Sequence, residues 1–598
     1  MSEPTRPIRQ PTVDTDGSLV AHSVATPKSF RMRAQVTVGS RKVIPVIFVP
    51  GIMGSNLRAR AATSATRAAE PAPRVSERNV KQLNKVQATD VGSDEKSDTD
   101  SDDPAWRAPN GTMDGLREAR KWKRRTPATR QRILNPAALE VDDAGELGNE
   151  VAGLSPGELR ARGWGEVHAD SYGVVLAKLQ TCLDTTFQID KRGQREIRVH
   201  WKRVMQCSPA SWGVRAVERV TEPELEHFAH FQYPVYAVGY NWLESCAVSA
   251  QRLNRRIDEI KAFWRSRKHE CDYVILVTHS MGGLVARACA RLRSANAPGP
   301  GDIAGIIHGV MPALGAPVAY RRIACGTEST RYTNGLVDNV KASRFAEIAG
   351  VTPAETTAVM ATAPGILELL PNHLYPKPWL LVKTLTRVEN ADKVQDILGL
   401  PKGNPYDFYR DTQSWYRLIN PHLADPAGLY GGKPEAVKEA IEKAVSTAEK
   451  FHQSILEKPA EANGDAVAKA WYHPNSYAFY GVDEGRLSYG TVQWAARVPS
   501  GQGVALTSAN VRNASLAAQA SNGAREVLVE GRLKLKFSVW GQDAHGDDTV
   551  PGQSSAGASN HVRAAFAARG FGHQDCFTND AMLLLTRHLI VKIVQGIK

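Results

Sequence analysis

No stretch of this 598-residue chain approaches the roughly 20 consecutive apolar residues that a membrane-spanning helix needs. The start, MSEPTRPIRQPTVDTDGSLVAHS, is polar and lacks the apolar core of a signal peptide. The expectation is a protein made in the cytoplasm and carried elsewhere, if at all, without such a peptide. Cysteine is sparse and scattered: Cys182, Cys207, Cys246, Cys271, Cys289, Cys325 and Cys576, with no CxxC and no metal-ligand spacing. That pattern suits free thiols in a reducing compartment and gives no reason to expect a metal or a cofactor. Internal repeats are absent, which argues against a solenoid. Motifs for binding RNA or DNA are also absent, so the net charge of +13 is not read as a nucleic-acid signal. A pI near 9.3 still favours anionic partners, including membranes with acidic lipids.

Several short apolar runs alternate with helical patterns. VIPVIFV (43–49), the strand in FQYPVYAVGYNW (231–242), YVILV (273–277) and DIAGIIHGV (302–310) read as strands. Between them, 249–267 places Leu253, Ile257, Ile260 and Phe263 on one helical face, and GLVARACARLRS (283–294) forms the next helix. This order predicts an α/β fold with a mostly parallel sheet between helices. Two stretches interrupt it. Residues 58–159 hold an acidic run (VGSDEKSDTDSDDP) and a basic run (LREARKWKRRTPATRQR) with little apolar period, and read as a polar, partly disordered insertion. There the basic run is expected to be a solvated face. Residues 321–533, rich in aromatics and helix-like segments, read as a mainly helical cap. The division is therefore an N-terminal arm (1–40), a core built from 41–57, 160–320 and 534–598, and the two insertions. The strand KLKFSVWG (534–541) and the helix 581–597 are assigned to the core.

The end of YVILV carries the chemistry. A serine hydroxyl is a weak nucleophile until a base takes its proton, and a tight strand–turn–helix elbow exposes it beside a helix N-terminus that favours an oxyanion. Thr278-His279-Ser280-Met281-Gly282 fits G-x-S-x-G with threonine for the first glycine. Ser280 is the candidate nucleophile. Pro50-Gly51 ends the first strand and can present the amide of Ile52, so Ile52 and Met281 are the candidate oxyanion donors.

An acid and a histidine should follow in that order. QDAHGDDTVPGQSS offers Asp547 first, Asp548 as the close alternative and Asp543 as a distant one. Downstream lie His561, His573 and His588. His588 falls inside a helix. His573 sits in a glycine-flanked loop able to reach the elbow, and leads. His279, next to the serine, is expected to pack or to line the pocket.

VPGIMGSNL, THSMGG, GDDTVP and the His573 loop, in that order, resemble the α/β-hydrolase lipases, in particular the PGAP1-like and lecithin:cholesterol acyltransferase-like groups. YPVYAVGYNWLESCAVSAQRL and IIHGVMPALGAPVAYRR fit the same families. The polar start, the large cap and VGYNW are similar to bacterial type VI secretion phospholipase effectors of the Tle family. The resemblance implies an α/β-hydrolase fold and a Ser280–His573–Asp547 triad that cleaves acyl esters of membrane phospholipid. It also implies an antibacterial role, a secretion-apparatus partner and a protective immunity protein. The alternatives are a soluble carboxylesterase or acyltransferase of the same fold, or a non-enzymatic interaction protein.

Overall fold

Strands covered on both faces read as near-continuous apolar runs rather than alternating ones, and such runs build the central sheet. The computed structural model describes residues 40–598 apart from 61–103, 149, 152, 191–193, 214–216, 297–300, 329–335, 389–390, 457–468 and 500–505, together with short strand segments before residue 40. Most of the N-terminal arm and nearly all of the acidic run therefore lie outside the described residues. Six parallel strands form the core sheet: β1 (Val46–Val49), β2 (Val235–Ala237), β3 (Val274–His279), β4 (Ile303–Gly309), β5 (Ser476–Gly481) and β6 (Ala564–Ala568). Their order is β2-β1-β3-β4-β5-β6.

Alternate residues of each strand feed opposite faces. Ile47, Val49, Val274 and Leu276 pack with the helices Cys246–Ser266 and Gly282–Asn296. Val46, Phe48, Ile275 and Val277 pack with Ala169–Leu183 and Asp580–Val594. This is the α/β-hydrolase arrangement expected from the sequence. On Cys246–Ser266 the predicted face holds for Leu253, Ile257 and Ile260. Phe263 departs from it and is 43% exposed, with the Arg267 guanidinium 4.1 Å from its ring centre. Its neighbour Trp264 takes the inward place, donating its indole N–H to Tyr236 Oη.

Two assignments need correction. β5, SYAFYG, lies within the stretch read as cap, yet it sits between β4 and β6. Conversely, the stretch 534–541 assigned to the core falls on the strand Leu533–Val539, which belongs to a second sheet. That sheet runs Ala391–Leu400, Leu380–Val388, Val492–Arg497, Leu533–Val539, Arg525–Val529, Ser515–Gln519, so the insertion holds a six-stranded sheet beside the helices expected of it. The physical reason is visible in burial. Every second residue of LKLKFSV is buried, as in a sheet with one wet face, whereas the first four residues of β5 are all buried.

The chain leaves β5 through Asp483–Ser488, builds four of the six strands of the second sheet, and returns as Ala544–Gly546, antiparallel to Asp483–Ser488. Residue 547 is thereby delivered to the C-terminal end of β5, where a Cβ on Gly481 would lie 2.7 Å from the Asp547 Cβ. In the first insertion, the basic run is helical: Gly111–Arg124 and Pro127–Ile133 bury Ala119, Trp122 and Arg130. Among the described residues no helix is long and apolar enough to cross a membrane. All seven cysteines are free.

Candidate active site

Ser280 stands at the turn between β3 and the helix Gly282–Asn296 with φ 52°, a left-handed conformation uncommon for a residue with a side chain. Its N–H is fixed by Gly309 O at 2.8 Å, and its own carbonyl accepts from Gly283 N–H. The turn fits only because Gly282 has no side chain: a Cβ there would lie 2.4 Å from Pro50 O and 2.5 Å from Val49 O. Thr278, which replaces the usual glycine, is fully buried and directs its hydroxyl toward Ile307 O and His308 Nδ1, both at 3.4 Å. The neighbouring strand makes room for it.

The structure brings Ser280, His573 and Asp547 together. His573 Nδ1 is 2.7 Å from Asp547 Oδ2 and Nε2 is 2.8 Å from Ser280 Oγ. A carboxylate can only accept, so Nδ1 carries the proton, Nε2 is the acceptor and the serine hydroxyl donates to it. The His573 N–H also donates to Asp547 O at 2.7 Å. The second carboxylate oxygen, Oδ1, accepts from the N–H groups of Thr549 and Val550 at 3.1 and 2.7 Å. Asp547 is fully buried and therefore held in one orientation.

The alternatives go elsewhere. Asp548 faces Arg486 at 3.6 Å. Asp543 is taken up by Gly490 N–H, Thr491 and Gln493. His561 stacks on Tyr472. His588 is buried in its helix against Trp212, and burial lowers its pKa to about 4.

Ile52 and Ser280 line the same cavity, and the fully buried Met281 follows the serine. Among the described residues the amide N–H groups of Ile52 and Met281 have no hydrogen-bond acceptor. Unpaired N–H groups beside a hydroxyl are what a developing oxyanion would use.

The sequence missed one network. Gly51 N–H donates to Tyr172 Oη at 3.1 Å, Tyr172 Oη lies 3.0 Å from His279 Nδ1, and His279 Nε2 lies 2.9 Å from the backbone oxygen of His573. A carbonyl oxygen cannot donate, so Nε2 holds the proton and the tyrosine hydroxyl donates to Nδ1. Burial, helped by the nearby His573 ring, holds the His279 pKa at about 3, which keeps the ring neutral. Through two side chains, Tyr172 and His279, and a backbone group at each end, the loop bearing Ile52 is thus tied to the loop bearing His573. The only signal in sequence was a histidine beside the serine, which does not reveal Tyr172.

Above the serine lies a cavity of about 340 Å³. Trp106, Trp242, Phe345, Ile348 and Met360 make one side apolar, while His573, Arg486 and Asp548 form a polar edge. Most of the apolar wall comes from the two insertions.

Comparison with known proteins bears on the fold that carries this site. The family described as the PGAP1-like alpha/beta domain matches residues 228–371, which include Ser280. None of the curated proteins matches the sequence. Among solved structures, the crystal structure of the Tle4-Tli4 complex matches with 25% identity over 92% of this chain and 98% of that chain, at a TM-score of 0.66. Phospholipase PlaB from Legionella pneumophila aligns at 9% identity over 51% of this chain and 71% of that chain, but its TM-score of 0.14 carries no weight. The chain thus has a lipase-like α/β-hydrolase fold, similar over residues 228–371 to the PGAP1-like domain and in its architecture to Tle4, in keeping with the resemblance to the Tle family read from its motifs.

Proposed function

We propose that this protein is a serine hydrolase that cleaves acyl ester bonds of membrane phospholipids. The observation that carries the reading is the hydrogen-bonded series Ser280–His573–Asp547 opening onto an apolar cavity. Ser280 Oγ attacks the ester carbonyl while His573 Nε2 takes its proton. Asp547 keeps the imidazole in the required tautomer and stabilises the imidazolium that forms. The oxyanion is held by the Ile52 and Met281 amides. His573 then returns the proton to the leaving alcohol, leaving an acyl group on Ser280. Water, activated by the same imidazole, releases the fatty acid. The cavity takes the acyl chain, and burying it there is favourable by about 0.8 kcal/mol per methylene.

The likeness to Tle4, which was crystallised with Tli4, supports an antibacterial effector role and a dedicated immunity partner for this chain. On that reading the protein is made in the producing cell's cytoplasm, leaves through the secretion apparatus, and acts at a target-cell membrane.

The test compares the full chain with Ser280→Ala on phospholipid vesicles, a triglyceride and a short water-soluble ester. Phospholipid turnover is expected, with a loss of about 10³-fold or more in the variant. Unchanged turnover in S280A removes the serine mechanism. Turnover of the short ester alone favours the soluble carboxylesterase or acyltransferase reading. Toxicity confined to periplasmic expression supports the effector role.

A further inference from the structure

The helix Gly111–Arg124 has two faces with different jobs. At 3.6 residues per turn, Met113, Arg117, Arg120, Lys121 and Arg124 fall within about 100° of arc. Gly115, Ala119 and Trp122 lie opposite and are buried. The outer set is exposed, Met113 to 78%. Among the described residues Arg117, Arg120, Lys121 and Arg124 form no ion pair, and the helix's own acids beside the stripe are Asp114 and Glu118. From 117 to 132 the sequence has eight Arg and Lys residues against a single acid, Glu118.

The inner face backs the cavity wall. Trp122 packs on Trp106 with ring centres 5.7 Å apart, and Trp106 packs on Trp242 at 5.4 Å. Both Trp106 and Trp242 line the cavity. The Trp106 indole N–H donates to Met53 O at 2.9 Å, next to the candidate oxyanion residue Ile52. Arg130 fastens this unit to the helix Leu336–Ala349, donating to Ile348 O at 2.8 Å and Glu347 O at 2.9 Å. Lys123 adds an ion pair with Glu347 at 3.5 Å.

We propose that the Met113–Arg117–Arg120–Lys121–Arg124 face docks the protein on a bilayer carrying anionic phospholipid. The cations meet the headgroups and Met113 enters the boundary with the acyl region, as on other interfacial amphipathic helices. Docking at this helix holds the wall of the hydrolytic cavity against the surface that contains its substrate. Its purpose rests on the phospholipid reading above, but its existence is measurable apart from any reaction.

The experiment uses the full chain carrying Ser280→Ala, so that lipid is bound and not consumed. Co-sedimentation is measured with vesicles of phosphatidylcholine alone and of phosphatidylcholine mixed with phosphatidylglycerol. Binding is expected only to the mixed vesicles, weakening as salt is raised. Adding Arg117→Gln, Lys121→Gln and Arg124→Gln is expected to lower that binding about 100-fold, with the melting temperature unchanged. Should the triple variant fail to fold, the lipid and salt dependence of the S280A chain decides alone. Equal binding to both vesicle types, equal binding by a folded triple variant, or tighter binding to duplex DNA than to the mixed vesicles overturns the proposal. Binding as expected, in a protein that hydrolyses only soluble esters, sinks the phospholipid reading and leaves the docking face standing.

Discussion

Two adjacent carboxylates, Asp547 and Asp548, leave one loop in different directions. Asp547 is enclosed, with both oxygens bonded, one of them by His573. Asp548 sits at φ 76° and pairs loosely with Arg486 on the cavity's polar edge. If the proposed mechanism holds, Asp547→Asn lowers kcat by roughly 10³–10⁴, because the amide favours the wrong imidazole tautomer. Asp548→Asn is expected to cost less than about tenfold, since it leaves that tautomer intact. Steady-state hydrolysis of one ester by both variants checks the pair. The sequence supplied the double aspartate and could not rank it by geometry, because both residues satisfy the same spacing. The threonine at 278 was equally opaque: its fit depends on His308 and Ile307 of the neighbouring strand.

At the scale of elements, the helix Ala169–Leu183 does more than cover the sheet. Its Tyr172 hydroxyl accepts from the loop after β1 and serves the ring of His279, which in turn binds the loop of His573. Tyr172→Phe removes one donor and one acceptor from a buried chain and is expected to lower stability by about 1–3 kcal/mol. Because Tyr172 positions groups without being assigned contact with substrate, the activity loss should fall on kcat and leave KM near its original value. Denaturant melts and initial rates on one ester measure the two effects. The core strands around the elbow were legible because apolar runs of that length have few other uses. β5 was not, since about 160 residues of insertion separate it from β4 and its aromatic SYAFYG matched its surroundings. LKLKFSV carried the contrary signal in its strict alternation, which belongs to a sheet with one wet face. The helix Gly111–Arg124 was hidden because Ala119 and Trp122 are its only buried side chains among the described residues, too few to set a period.

For the molecule as a whole, the insertion is fastened to the core by a buried acid. Glu368, fully enclosed, accepts from Cys246 N–H at 2.7 Å and from the Ser245 hydroxyl at the start of the helix Cys246–Ser266. Its backbone oxygen accepts from His452 Nε2 at 2.8 Å, on the helix Pro434–Ser454. Burial pushes the Glu368 carboxyl from 4.5 to about 8, against the lowering effect of the Ser245 and Cys246 hydrogen bonds. The folded protein therefore keeps a proton that the unfolded chain releases. The associated stability is complete below pH 4.5 and declines as pH rises toward 8. Wild type should lose up to about 1.4 kcal/mol per pH unit across that window relative to Glu368→Gln. Denaturant titrations of both proteins at several pH values test the slope; parallel curves refute it.

The long chain between the serine elbow and the His573 loop also orders events in time. Ser280 precedes His573 by 293 residues. At roughly 5–20 residues per second, a ribosome needs about 15–60 s to pass from one to the other. Throughout that interval the nascent chain carries a hydroxyl with no imidazole to activate it. Under the proposed mechanism, a premature stop anywhere along the stretch releases an inert polypeptide, so a cell making this protein meets the proposed chemistry only when synthesis is nearly finished.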